Sequence, residues 1–77
     1  MTNLNWKYTK TDGTPRLTAD DGFHTYRIEK GDSVLREVHN LYVDDKPRSQ
    51  IVNQSVARLM NLSNEISETA KQMREVQ

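Results

Sequence analysis

The chain has 77 residues, no cysteine, two histidines and 11 basic against 11 acidic side chains, for a formal net charge of zero. Those figures leave no room for a second core, a disulfide framework or a thiolate metal site, and they lack the basic excess of a generic DNA binder. Leu, Ile, Val and Phe number only 16, but disorder pairs low hydrophobicity with high net charge, so a single folded domain over 1–77 is expected. No apolar run approaches a membrane span and Met1 is not followed by a signal-like core, which gives the expectation of a soluble, cytoplasmic chain without a membrane partner.

From the N-terminus, segments rich in aromatic and β-branched residues alternate with turn residues. NWKYTKT (5–11), PRLTA (15–19), FHTYRIEK (23–30) and SVLREVHNLYV (33–43) are separated by Asp12-Gly13, Asp21-Gly22 and Gly31-Asp32. Glycine and aspartate tolerate the positive φ of tight hairpins, so the pattern predicts an antiparallel sheet of three to four strands within 1–43. With Gly31-Asp32 as a two-residue loop, Ile28 faces Leu35, Tyr26 faces Glu37 and His24 faces His39. Alternation then puts His24, Tyr26, Ile28, Leu35, Leu41 and Val43 on the core side, with Phe23, Arg27, Val34, Arg36, Val38 and Tyr42 on the other. This register sets Arg27 opposite Arg36, an unfavourable pair. Residues 33–43 also carry a helical stripe (Val34, Leu35, Val38, Leu41, Tyr42), against which three valines and a tyrosine favour a strand.

Asp44-Asp45-Lys46-Pro47 reads as a helix start, because aspartate caps free amides and proline fits the first turn. From there to Val76 no glycine or further proline occurs. Val52, Leu59, Ile66 and Met73 recur every seven residues, with Ser55, Leu62, Thr69 and Val76 between them, predicting one amphipathic helix over 46–76 packed on one face of the sheet. The thirty residues from Pro47 to Val76 reach roughly 45 Å, further than a short sheet, so the second half is expected to project. A thin apolar end frays, pairs with its own copy, or docks on another protein.

The residues offer little chemistry. The acids Asp12, Asp20, Asp21 and Asp32 are spread over three turns, unlike the clustered ligands of a calcium loop, and the three glycines do not cluster as in a phosphate loop. His24 and His39 with Glu37 or Asp21 could hold a metal only if the register brought them together. No glycine-flanked serine elbow exists, and so small a chain struggles to enclose a pocket. No enzymatic activity, cofactor or metal is expected. Trp6-Lys7-Tyr8-Thr9-Lys10 and Tyr26-Arg27 interleave aromatic and basic groups, which would suit single-stranded nucleic acid stacked on the sheet face; these aromatics are also the natural core of so lean a chain.

The reading that follows is an α+β protein–protein interaction module, a small regulator or inhibitor of the phage or mobile-element accessory type, such as an anti-defence protein. It would block a surface of a larger partner, or pair with itself as a homodimer. The expected contacts are a helix seam of Leu59, Leu62, Ile66, Met73 and Val76, and a sheet face carrying Arg27, Arg36 and Tyr42, since tyrosine and arginine are frequent anchors. The alternative is a single-stranded nucleic-acid binder using the aromatic and basic sheet face.

Overall fold

The computed structural model describes residues 4–11 and 13–76, the side chains of Thr11 and of residues 74–76 excepted. It is an α+β fold in which five strands form one antiparallel meander, each pairing with its neighbour in sequence, followed by a single helix. The strands are β1 (Lys7–Thr11), β2 (Thr14–Asp20), β3 (Thr25–Lys30), β4 (Val38–Val43) and β5 (Lys46–Val52), and the helix is α1 (Ala57–Val76).

Two of the three turn signals act as turns. Thr11 pairs with Thr14, enclosing a two-residue loop; Asp12, half of that signal, lies outside the described residues. At the second, Asp20 Oδ1 accepts the Gly22 amide at 2.7 Å, and Asp21 Oδ1 accepts those of Phe23 and His24 at 2.8 Å each. Gly22 has φ 86°, a conformation that a side chain would strain.

Gly31-Asp32 is not a two-residue loop. Residues 31–37 form a longer connection, and Ile28 pairs with Leu41 instead of Leu35, while Tyr26 pairs with Val43 and Arg27 with Tyr42. His39 faces Lys30, so His24 and His39 do not meet, and the Arg27–Arg36 opposition disappears. The displacement of six residues is even, so the expected faces survive for Tyr26, Ile28, Leu41 and Val43. Leu35 is the exception: it stands in the loop at 91% exposure beside Val34 at 100%. The loop closes on itself through Gly31 N–H to Val38 O at 2.7 Å and Arg36 N–H to Ser33 Oγ at 3.1 Å. Gly31 is there for proximity, since a Cβ would meet Val38 Cγ1 at 2.9 Å.

The largest departure from expectation is at Asp44-Asp45-Lys46-Pro47, which is a hairpin turn and not a helix start. Asp44 and Asp45 take φ of 53° and 63°, the twist that a two-residue hairpin loop needs. The strain is offset by Asp44, whose carboxylate accepts the Thr25 amide at 3.0 Å and meets His24 Nδ1 at 2.7 Å. These contacts, the Thr25 amide first, hold the Asp44 carboxyl below its usual range. A fifth strand therefore occupies the front of the expected helix. Pro47 sits on this edge strand, where a missing N–H costs little. Asn53, with φ 53°, reverses the chain after β5 and exchanges hydrogen bonds with Glu37. Ser55 then caps α1, its Oγ accepting the Ala57 amide at 3.2 Å.

One face of the sheet and one stripe of α1 make the core: Leu4, Ala19, Tyr26, Ile28, Leu41, Ile51 and Leu59, with Trp6, Leu17, Val56, Leu62 and Ile66 packed around it. Among the described side chains of α1, Leu59, Ser63 and Ser67, spaced four apart, are turned fully inward. The serines are small enough to let the helix approach the sheet closely, and Ser63 Oγ–H donates to Leu59 O at 2.8 Å. The molecule extends 46 Å in its longest direction against 23 and 20 Å in the others.

Candidate functional site

The outer face of the sheet, which α1 leaves open, is polar and paired with itself. The guanidinium of Arg27 contacts Glu29, meets Asp45 Oδ1 at 2.6 Å and lies 4.7 Å from the centre of the Tyr42 ring, while Arg16 meets Glu29 at 3.5 Å. Arg27 and Tyr42 therefore share this face as expected, but the charge of Arg27 is neutralised within the chain. Arg36 does not join them, because it belongs to the 31–37 loop. Nor do the aromatic residues expected for base stacking: Trp6 packs against the core, Tyr26 is 1% exposed, and Tyr8, though 66% exposed, is in register with Leu17 and Ile28 on the other face of the sheet.

A second surface lies between α1 and the free edge of the sheet. Strand order makes β5 an edge strand, and it is also the strand that α1 approaches most closely. Two adjoining hollows follow this side of the helix. One, of about 430 Å³, is lined by Ser49, Gln50 and Ile51 from β5 and by Gln54, Arg58 and Leu62. The other, of about 370 Å³, is lined by Leu62, Ile66, Ala70 and Met73 of the helix, with Arg48 and His24 opposite. Leu62 and Glu65 belong to both, so they form one groove.

Local structure explains its walls. The pairing of β4 with β5 skips Arg48, since Leu41 faces Ser49 and Tyr42 faces Pro47. Such a bulge re-aims the extra side chain, and Arg48 stands at the edge itself, bordering the helix-side hollow and also a hollow on the outer face beside Asn40 and Tyr42. His24 is held at the far end by Asp44. On the helix, Leu62 and Ile66 are one turn apart and half-buried, and Met73 follows at 63% exposure. The result is an apolar strip with a cation, Arg48, on the sheet wall and an anion, Glu65, on the helix wall. Neither makes an ion pair of 4 Å or less with another described residue.

Of the expected seam, Leu62, Ile66 and Met73 line this groove. Leu59 borders the floor of the first hollow but is 1% exposed in the core, so it offers a partner almost no surface. The backbone of Val76 ends the helix, and its side chain lies outside the described residues. Sequence reasoning passed over Arg48 and Glu65. Pro47 in an edge strand was the available signal for the first, had the segment been read as a strand.

The β2–β3 turn buttresses the helix from below. The Tyr26 hydroxyl donates to Asp21 Oδ2 at 2.9 Å. Burial alone would raise the Asp21 pKa, but the Ser67 hydroxyl, the His24 and Phe23 amides and Tyr26 together lower it to about 2. Burial and the Asp21 carboxylate push the Tyr26 phenol well above its ordinary value. Among the described residues, no three His, Cys, Asp or Glu side chains are grouped to hold a metal, and no helix is long and apolar enough to cross a membrane. Comparison with protein-family models, curated proteins and solved structures finds no match for the chain.

Proposed function

We propose that this chain is a non-enzymatic protein–protein interaction module that works as a small regulator or inhibitor by covering a surface of a protein partner, in a cytoplasmic setting. Its size suits accessory proteins of phages and mobile elements, anti-defence proteins among them. The observation that carries the reading is the apolar flank beside the free β5 edge, where Leu62 and Ile66 are half-buried and Met73 is 63% exposed. Such a strip loses contact with water only when another surface is laid on it. The outer sheet face serves less well, because Arg27 and Glu29 already satisfy each other there.

The test is affinity capture from cells with the wild-type chain, Met73→Asp, and Tyr42→Ala as an outer-face control. Captured proteins are identified and their binding re-measured with purified material. Loss of binding by at least tenfold in Met73→Asp, with Tyr42→Ala unchanged, supports the groove as the contact. If Met73→Asp binds every partner as the wild type does, the groove reading is wrong.

A further inference from the structure

Resting on that reading, we infer that the partner seated on the groove is a second copy of this chain, related to the first by a two-fold axis that passes beside Leu62 and Ile66. The argument begins with charge. Arg48, from the sheet wall, and Glu65, from the helix wall, both line the hollow that contains Leu62 and Ile66. Within one chain neither is in an ion pair with a described residue. A two-fold at that hollow sets each Arg48 against the other copy's Glu65, so one operation pairs two cations with two anions. An interface made from one patch used twice must be self-complementary in this way.

The apolar residues obey the same operator. Leu62 and Ile66 are one turn apart, so an axis between them lays Leu62 of one copy on Ile66 of the other and brings the two helices antiparallel. Met73, about two turns beyond Ile66, then extends over the other copy towards the hollow of about 430 Å³ beside Gln54 and Arg58. The exposed side chain and the unfilled space are thereby matched.

The β5 edge explains why side chains make this contact. Pro47 has no N–H to donate and the bulge at Arg48 interrupts the strand, two features that blunt an edge against strand pairing. An extended peptide adding a sixth strand is disfavoured at this level of the edge, whereas a helix flank with opposite charges is not.

Charge exchange tests the inference, with solution mass measured by light scattering and sedimentation from ~5 to ~200 µM, since association follows mass action. The wild type should reach twice the 9.0 kDa of the chain. Arg48→Glu and Glu65→Arg should each weaken association by about tenfold or more, and the double variant should recover most of it. Both positions are exposed, and circular dichroism verifies that every variant is folded. Because the chain has no cysteine, a mixture of Arg48→Cys and Glu65→Cys provides a second readout: the crossed disulfide should form in preference to either same-site disulfide. A wild type of 9.0 kDa at every concentration overturns the inference, as does a double variant as weak as the singles. A monomer whose capture of a different protein is lost in Met73→Asp refutes the second copy while sustaining the interaction reading. A monomer whose capture is indifferent to Met73→Asp refutes both.

Discussion

The Tyr26 hydroxyl donates a 2.9 Å hydrogen bond to Asp21 Oδ2, and through it the buried centre of the sheet is tied to the turn beneath the helix. Asp21 is the hub of that turn, since its other oxygen holds the Phe23 and His24 amides. Tyr26→Phe removes the donor and leaves the ring in place, so it should cost about 1–2 kcal/mol. Asp21→Ala strands the hydroxyl and both amides and should cost more. Urea midpoints of the two variants measure the order, and a Tyr26→Phe chain as stable as the wild type would show that the bond contributes nothing.

Acid sensitivity follows from the same carboxylate. Its pKa falls from 3.8 to about 2 on folding, so the unfolded chain binds a proton more readily as the pH drops. The stabilisation is present in full above the unfolded value and is lost as the pH falls from ~5 through 2, amounting to about 1 kcal/mol once solvent screening is allowed for. Asp44, also depressed, adds to the loss in the same direction. Thermal melts at a series of pH values should show the wild type losing its advantage over Asp21→Asn towards pH ~2. A constant gap between the two curves would remove Asp21 as the source.

How much of this was legible depended on which residues set the geometry. The alternation of Tyr26, Ile28, Leu41 and Val43 is local, so their common face could be read even from a register displaced by six residues. Residues 46–56 could not be read in the same way. Aspartates with positive φ at a hairpin and aspartates capping a helix look alike in sequence, and what decides between them is distant: the Thr25 amide and His24 held by Asp44. The seven-residue spacing of Val52 and Leu59 then bridged a strand and a helix by coincidence. In the groove, Leu62, Ile66 and Met73 could be found from helical periodicity. Arg48 depended on a bulge whose position is set by pairing with β4.

Leu41 and Leu35 separate the true register from the expected one. Leu41 is 0% exposed at the centre of the core and Leu35 is 91% exposed. Leu41→Ala should therefore cost about 2–5 kcal/mol, enough to unfold most molecules of so small a domain. Leu35→Ala should change stability by no more than about 0.5 kcal/mol. Denaturant unfolding followed by Trp6 fluorescence compares them directly. A large loss in Leu35→Ala would restore the two-residue loop.

Ser67 tests how closely the helix must approach. It is 0% exposed at the inner end of the Leu59–Ser63–Ser67 row, beside the Asp21 and Tyr26 pair. Ser67→Leu adds volume where the sheet allows none, and should cost about 1–3 kcal/mol by lifting the helix and loosening Asp21. Thr69→Leu makes a similar gain in bulk two residues on, at an exposed position beside the groove. It should leave the fold as stable as before and strengthen association by lengthening the apolar strip. Melting temperature and solution mass, taken together, read both effects. Equal destabilisation by the two substitutions would mean that the helix does not present Ser67 inward and Thr69 outward, and the groove would then have to be redrawn.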